Sequence, residues 1–492
     1  MTFVILIFCN KIHILHGIFQ LYRFMKKLLP NLINKPLFLI VFLSILFVNG
    51  CKKDNPEVFT SRLTKDFNGE VILQWNNLFL EIERYAQGFR PCPTPRALAY
   101  IGLACYEACV IDMPAYKSLR FNYPGLSLPT QEPLVDYHYP TVINAIYSKL
   151  LTNFMGNVNG IPADKFAKIS ALYNKLKNDY KDDASAESII KSDEYGIKVA
   201  EAVFEYAKTD AVGHNYHLNP FKNTVSKYTT SPKPGRFSPT NASGPGMFPD
   251  FGYARTFVIN EGDKLIPAPI PYSEEVNSQY HVQAAEVYAT VNNPTPDQRW
   301  LAFFWSDDLT GLTFSPPSRW LAIANQVYEL ENVDLETAIY ANAKLGIALN
   351  DCVVACWYSK YFYDVERPVD YIKKMMRSSW QPALYNPLTK ETGISPNFPA
   401  YPSGHSTMGG AAAEVLTDIF GNYFPMTDRC HEGREDFEGG KPRQFNSFYE
   451  MANENAISRV PLGVHFRMDC EQGVNLGIRV GRKVNQFSWK KG

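Results

Sequence analysis

Residues 398–420, FPAYPSGHSTMGGAAAEVLTDIF, combine a turn suited to an anion with a helix suited to a protein interior. Ser403 is a favourable helix N-cap, and the small and apolar residues after it predict a buried helix that ends before Gly421. The first N–H groups of a helix lack partners within it, and the helix dipole favours negative charge there. Gly404 allows a ligand to approach the backbone closely. This stretch therefore predicts an oxyanion site at a helix N-terminus.

Two further segments supply cations and a second histidine: residues 360–368, KYFYDVERP, and residues 458–469, SRVPLGVHFRMD. Arg367 and Arg459 each present a planar fork that can bind two oxygens, whereas Lys360 acts as a point charge. At an effective dielectric constant of about 20, one cation ~4 Å from an anionic charge contributes roughly 4 kcal/mol. Each fragment alone also fits a turn, a helix boundary or a core histidine. Their joint occurrence favours a pocket for a tetrahedral oxyanion.

The three segments match the pattern K-x6-R-P, P-S-G-H and S-R-x5-H-x3-D without a gap or substitution. In this the chain resembles the vanadium-dependent haloperoxidases, within the larger phosphatidic acid phosphatase type 2 superfamily. The resemblance implies vanadate as cofactor, with phosphate able to occupy the same site. The cofactor-binding residues that it implies are Lys360, Arg367, Ser403, Gly404, His405, Arg459 and His465.

The resemblance also implies individual roles. His465 would be bonded to vanadium, and His405 would be the acid–base group beside the apical oxygen. Lys360 would complete the catalytic set by polarising the activated peroxide. Asp469 would orient His465, as metal-bound histidines generally require.

Longer matches favour a haloperoxidase over a phosphatase. The run 398–405 is similar to that of the chloroperoxidases, including Phe398 seven residues before His405. Trp357 lies where those enzymes also place a tryptophan. For both aromatic residues, ordinary core packing is the alternative interpretation.

A fourth segment is similar to the family's F-W-x-D and P-P-x-x-W sequence: FWSD at 304–307 and PPSRW at 316–320. The resemblance makes Asp307 the expected partner of Arg459. Asp308 is adjacent and remains an open alternative.

The activity implied is oxidation of halide by hydrogen peroxide to a hypohalous-acid-type species that halogenates a small organic acceptor. The alternative is an acid phosphatase, in which His465 would form a phosphohistidine and His405 would protonate the leaving alcohol. A third interpretation is a surface lipoprotein that only binds phosphate or a glycan, which the two placed histidines disfavour. Halide preference, organic substrate and oligomeric state are left open.

Composition agrees with a large folded unit that does not bind nucleic acid. The chain has 492 residues, of which 46% are hydrophobic, and its 49 basic residues balance 49 acidic ones. A chain without net charge has no global field to attract nucleic acid. Of nine cysteines, none forms a C-x2-C pair, so buried thiols are expected rather than a zinc cage.

The N-terminus predicts export and a lipid anchor. Met25 is a second start candidate, and Lys26 and Lys27 precede the apolar run 37–48 and then Cys51. A charged region, a short apolar stretch and a small residue before cysteine resemble a bacterial lipoprotein signal. The prediction is a leader over 1–50, lipidation of Cys51, and a protein of the bacterial cell envelope that meets the membrane only through this anchor.

Apolar periodicity predicts an all-α protein, and the resemblance implies two packed four-helix bundles. The expected order is a tether over 51–69, an N-terminal helical part over 70–330 and a catalytic part over 331–492. The region 214–273 lacks either period and is expected to be an ordered surface excursion near the site, with a partly flexible loop as the alternative. Helices are predicted at 70–87, 96–111, 141–154, 163–177, 184–208, 278–292, 296–307, 318–326, 334–363, 403–420, 445–458 and 466–487.

Overall fold

The computed structural model describes residues 62–231, 233–239, 245–434 and 440–491. The predicted leader, Cys51 and most of the tether lie outside these residues. The remainder, from residue 61 on, forms one compact unit. In the described part no helix is long and apolar enough to cross a membrane.

The all-α prediction is confirmed. Within the described ranges the chain forms thirteen α-helices and one sheet of two short antiparallel strands, β1 (Met426–Asp428) and β2 (Arg443–Phe445). The helices are α1 (Glu70–Glu83), α2 (Pro93–Cys109), α3 (Tyr139–Met155), α4 (Ala163–Asp179), α5 (Ala186–Lys208), α6 (Gln279–Asn292), α7 (Pro296–Phe304), α8 (Pro316–Glu331), α9 (Leu335–Tyr363), α10 (Pro368–Met375), α11 (Gly404–Phe420), α12 (Phe448–Ile457) and α13 (Arg467–Gln486).

The helices pack in two groups. The first contains α1 to α5, and the second contains α9, α11, α12 and α13. The long helix α9 is buried along most of its length and also packs along α2, so it belongs to the core of both groups. Helix α2 precedes residue 330 and helix α9 follows it. Their packing does not test the predicted division of the chain at residue 330, which stays a prediction.

Helix α11 follows the sequence signals closely. Ser403 is its N-cap, and the Ser403 hydroxyl accepts a hydrogen bond from the N–H of Ser406 at 3.4 Å. Glycines on α13 bring that helix close to α11. A β-carbon at Gly473 would lie 2.7 Å from the carbonyl oxygen of Ser403, and one at Gly477 would collide with the carbonyl of Thr407. The close approach fixes α13 against the start of α11.

The structure differs from the predicted helices at two places near the site. Helix α7 ends at Phe304 rather than at residue 307, because Trp305 leaves helical geometry (φ −99°, ψ 11°). The eight-residue helix α10 was not predicted, because so short a helix shows little apolar periodicity, although Pro368 is a favourable first residue. Arg367, the second cation of the segment 360–368, is the N-cap residue of α10 and is therefore held at the start of a helix.

Where it is described, the excursion 214–273 packs inward. Phe237, Phe248 and Phe251 are fully buried. The buried carboxylate of Asp351 on α9 accepts backbone N–H bonds from residues 257, 258 and 259 at 2.8, 2.7 and 3.0 Å. The excursion therefore forms part of the wall around the C-terminal end of α9.

Candidate active site

Lys360 and Arg367 are held by backbone carbonyls of the other two segments. The Lys360 ammonium, in the last turn of α9, donates to the carbonyls of Pro399 and Ala400 at 2.8 and 2.9 Å. Arg367 donates from Nε to the Phe398 carbonyl at 2.8 Å and from Nη1 to the Val464 carbonyl at 2.7 Å. Burial holds the pKa of Lys360 below its usual value. Burial also lowers the pKa of Arg367 to about 10, so its guanidinium stays charged at neutral pH.

His465 is oriented by Asp469. The His465 Nδ1 atom lies 3.0 Å from Asp469 Oδ2, which also accepts the N–H of Phe466 at 2.9 Å. A carboxylate acceptor assigns the proton to Nδ1 and leaves the lone pair on Nε2. His465 Nε2 lies 3.2 Å from Arg367 Nη1. The arrangement presents an unprotonated ring nitrogen beside a fixed cation, as a bond to an electrophilic centre requires.

The start of α11 lies against the same residues. The Ser403 N–H donates to the Asp469 carbonyl at 2.9 Å. A β-carbon at Gly404 would lie 3.3 Å from the Trp357 ring, so the glycine permits close contact with that ring. Ser403 thus adjoins Asp469, and Gly404 adjoins Trp357. The predicted contacts of Ser403 and Gly404 with an oxyanion remain predictions.

The assignment of Asp307 to Arg459 was wrong. The Arg459 Nη2 atom donates to Asp308 Oδ2 at 2.7 Å. Asp307 instead lies 2.8 Å from His431 Nε2 and 3.4 Å from Arg319 Nη1. The segment after α7 is non-helical, so neighbouring side chains point in different directions and only one of the two carboxylates faces the site.

His405 lies beside the Asp308 carboxylate that binds Arg459. Its Nε2 atom is 3.8 Å from Asp308 Oδ1. Burial, reinforced by the Arg459 guanidinium and opposed by Asp308, lowers the pKa of His405 to about 3. For Asp308, burial raises the pKa, but the charge and hydrogen bond of Arg459 together with His405 and Arg90 outweigh it, so the net pKa is below the usual value. His405 is therefore neutral near pH 7 and able to accept a proton.

The aromatic residues form one wall beside the cations. The ring centroids of Trp357 and Phe398 are 5.1 Å apart. The Lys360 ammonium lies 5.7 Å from the Trp357 centroid and 5.2 Å from that of Phe398, and the Arg367 guanidinium lies 4.9 Å from the latter. These distances are within the range of cation–π attraction. The wall thus packs against the cations as well as within the core.

A cavity of about 240 Å³ opens onto this cage, with His405, Arg459 and His465 among its lining residues. Its other walls include residues that the sequence did not predict: Arg90, Met247, Leu309, Leu384, Ile394 and Met408. Most are apolar residues in segments without periodicity. The abundance of aromatic residues in the excursion was the one signal that this segment packs near the site.

The residues fit a tetrahedral oxyanion. Among the described residues, Arg367 Nη2, Arg459 Nε and His405 Nε2 are buried polar atoms without a hydrogen-bond partner. Leaving such a group unpaired costs about 1–3 kcal/mol or more when charged. Burial lowers the pKa of Lys360 and raises that of Asp469, so both groups are held closer to their neutral forms. An anion accepting from the unpaired arginine nitrogens would satisfy them and favour the charged form of Lys360.

The chain is similar to known proteins over one domain and over most of its length. Residues 341–490 match the family model of the VCPO second helical-bundle domain. Vanadium chloroperoxidase of Curvularia inaequalis is 22% identical over 503 aligned residues, covering 85% of this chain and 81% of the relative. Vanadium-dependent bromoperoxidase of Ascophyllum nodosum is 34% identical over 93 residues, covering 17% and 16% of the two chains.

Solved structures are similar over most of the chain. The crystal structure of the first bacterial vanadium-dependent iodoperoxidase superposes with a TM-score of 0.74 at 26% identity, covering 87% of this chain and 98% of the other. That of a holo-type bacterial vanadium-dependent chloroperoxidase gives 0.61 at 15% identity, covering 82% and 92%, which supports the fold. Fold and site together define an all-helical oxyanion-binding protein. Residues 341–490 match a domain of the vanadium chloroperoxidases, and the chain as a whole is similar to the vanadium-dependent haloperoxidases.

Proposed function

We propose that the protein is a vanadate-dependent haloperoxidase, which uses hydrogen peroxide to oxidise halide to a hypohalous-acid-type halogenating species. The observation that carries the proposal is that the segments 398–420 and 458–469 line one cavity, and that buried nitrogens of Arg367 and Arg459 lack partners near His465, whose Nε2 lies 3.2 Å from Arg367 Nη1. The similarity to vanadium-dependent haloperoxidases supports it. Bromide and iodide are the proposed halides, and a small organic molecule is the proposed acceptor.

Different residues of the protein would bind the oxygens of vanadate and bond its metal. Lys360, Arg367, Arg459 and the first N–H groups of α11 would hold the oxygens of vanadate, and His465 Nε2 would bond the metal. Bound vanadate supplies a Lewis-acidic centre at which hydrogen peroxide is activated for two-electron oxidation of halide.

His405 is suited to move protons during this reaction. Because it is neutral in the cage, it can take a proton from incoming hydrogen peroxide and return it to a leaving oxygen. Asp308, 3.8 Å away, would stabilise the protonated ring. Asp469 would keep the bonding nitrogen of His465 unprotonated.

The aromatic wall favours halide over a phosphate ester. A halide is weakly hydrated and can use an apolar, electropositive niche such as the one formed by Trp357, Phe398 and the Lys360 ammonium. A phosphomonoester needs polar contacts for its leaving alcohol. The apolar residues Leu309, Leu384 and Ile394 offer none through their side chains.

One experiment tests the proposal. Purified protein loaded with orthovanadate is assayed for halide-dependent peroxide consumption from acidic to neutral pH, beside phosphomonoester cleavage by the vanadate-free protein. We expect oxidation of bromide or iodide, and a greater loss of this activity than of any phosphatase activity in Trp357→Ala and Phe398→Ala. Efficient ester cleavage without any halide oxidation would establish the phosphatase alternative instead.

We also propose that the protein is exported to the bacterial cell envelope and anchored by lipid on Cys51. The supporting observation is the sequence around residues 25–54, where a basic start and the apolar run precede that cysteine. The active site then lies outside the inner membrane.

A further inference from the structure

Arg90, in the loop between α1 and α2, reaches from the N-terminal group of helices to the site. The residue is buried and lines the cavity. Its Nη2 atom donates to the backbone carbonyl of Asp307 at 3.1 Å, and its Nη1 atom donates to that of Arg84 at 3.4 Å. Its Nε atom lies 3.7 Å from the Glu83 carboxylate. Arg90 thus joins the end of α1 to the peptide group that precedes Asp308.

The peptide group between Asp307 and Asp308 determines where the Asp308 carboxylate can point. A peptide group is planar, so a carbonyl held in one direction also fixes the position of the next α-carbon. Residues 306–309 lie outside any helix or strand. A buried carbonyl in such a segment needs a hydrogen-bond donor from elsewhere in the chain. Asp307 is buried, and Arg90 provides that donor.

The Asp308 carboxylate in turn contacts two groups of the site. Its Oδ2 atom accepts from Arg459 Nη2 at 2.7 Å, and its Oδ1 atom lies 3.8 Å from His405 Nε2. Arg459 also donates from Nη1 to the Trp305 carbonyl at 3.4 Å. The segment that carries Asp308 is therefore held by one arginine from the N-terminal part of the chain and by one from the C-terminal part.

We propose that Arg90 is a positioning residue for the Asp308 carboxylate. Through the backbone carbonyl that it binds, Arg90 keeps this carboxylate directed at Arg459 and His405. When Arg90 is replaced, the carboxylate turns away, and the protonated ring of His405 loses the charge that stabilises it. The effect on turnover rests on the proposed haloperoxidase function, whereas the effect on the geometry of Asp308 does not.

A second arginine provides a matched control. Arg84 donates from Nε to the Gly311 carbonyl at 2.7 Å, so it bonds the same connection between α7 and α8 beyond Asp308. It is not among the residues that line the cavity. Lysine keeps the charge of an arginine but loses its planar fork. Arg90→Lys therefore cannot bond two carbonyls as the fork does, Arg90→Met removes charge and bonds together, and Arg84→Lys is the control.

The first measurement is crystallographic and uses vanadate-free protein. It follows the distance between Arg459 Nη2 and Asp308 Oδ2, which is 2.7 Å in the parent. We expect this hydrogen bond to be lost in Arg90→Met and lengthened in Arg90→Lys, and to be unchanged in Arg84→Lys. Parent-like geometry of Asp308 in every folded Arg90 variant would overturn the proposal, whatever the activity of the protein.

The second measurement is a double-mutant cycle on kcat for bromide or iodide oxidation at saturating vanadate. We expect kcat to fall severalfold in Arg90→Lys and further in Arg90→Met, and to stay close to the parent value in Arg84→Lys. In an Asp308→Asn background, Arg90→Lys should cause a much smaller loss, because no charged carboxylate is left to position. A residue that only stabilised the fold would cause the same loss in both backgrounds.

The outcomes separate this inference from the proposed function. If kcat falls equally in the two backgrounds, or equally in Arg84→Lys, the positioning role is overturned and the peroxidase assignment stands. A displaced Asp308 with the parent kcat would overturn it as well. If the parent oxidises no halide, the proposed function fails, and the crystallographic distance still decides the role of Arg90. Should Arg90→Met not fold, Arg90→Lys decides both measurements.

Discussion

His465 and His405 occupy the same cage, but their ring nitrogens face different groups. His465 is fixed by Asp469 on one side and has Arg367 3.2 Å from the other. His405 has its Nε2 unpaired and a carboxylate 3.8 Å away. The arrangement of His465 suits a lasting bond to the metal, and that of His405 suits repeated gain and loss of a proton.

The two histidines should therefore fail in different ways. His465→Ala removes the proposed bond to the metal, so vanadate affinity should fall sharply. His405→Ala leaves the three cations in place, so vanadate should still bind while turnover collapses. Calorimetric titration with vanadate, alongside the halide oxidation rate, measures both effects. Equal vanadate affinity of the His465 variant and the parent would contradict the assignment.

Substitutions of the adjacent residues Asp307 and Asp308 should also have different effects. Asp308 favours the protonated form of His405, so Asp308→Asn lowers the pKa of His405 further. More acid is then needed to protonate the ring, and the acid limb of the pH–rate profile should move to lower pH. Asp307→Asn is the comparison: Asp307 also raises the pKa of His405, though less than Asp308 does, so this variant should move the limb in the same direction by a smaller amount.

Asp307→Asn should instead affect stability. Asp307 is buried and bonded to His431 and Arg319, so loss of its charge should lower the free energy of unfolding by roughly 1–3 kcal/mol. Denaturant unfolding measures this change. A shifted pH profile in the Asp307 variant, with none in the Asp308 variant, would identify Asp307, the partner first expected, as the partner of Arg459.

At the scale of elements, the contact between α11 and α13 positions two of the three motif segments, 398–420 and 458–469, relative to each other. Gly477 on α13 has no room for a β-carbon against the Thr407 carbonyl of α11. Gly477→Ala should force the helices apart, costing roughly 1–3 kcal/mol of stability through overpacking. Because Asp469 accepts the N–H of Phe466 at the start of α13 and bonds His465, vanadate affinity should fall as well.

The matched control is Asn475→Ala, on the exposed face of the same helix. It should change neither the thermal midpoint nor the vanadate affinity. A Gly477 variant that binds vanadate like the parent would show that the cage does not depend on this close approach.

How much the sequence predicts depends on the element. Helix α11 was anticipated almost residue by residue, because the Ser403 cap and Gly421 mark its ends and small residues fill it. The choice between Asp307 and Asp308 was not open to sequence, because no period fixes side-chain direction once α7 has ended. Met247 was missed for a related reason: the excursion is placed by individual bonds such as those of Asp351, and these leave no repeating pattern.

At the scale of the whole molecule, the site is assembled from segments spread along much of the chain. Arg90 and Met247 come from the N-terminal part, and Lys360, His405 and His465 from the C-terminal part. Most buried apolar side chains form one continuous core that includes both α2 and α9. The cage thus depends on the entire compact unit, while the predicted anchor precedes that unit in sequence.

This separation gives a prediction for the anchor. Acyl chains contribute ~0.8 kcal/mol per buried CH2 group to membrane binding. The parent protein should therefore sediment with membranes, whereas Cys51→Ser should escape lipidation and appear in the soluble fraction. Since the site residues lie far from Cys51 in sequence and within the compact unit, halide oxidation per molecule should be equal in the two forms. Metabolic labelling with a fatty acid that marks both forms equally would refute lipidation at this cysteine.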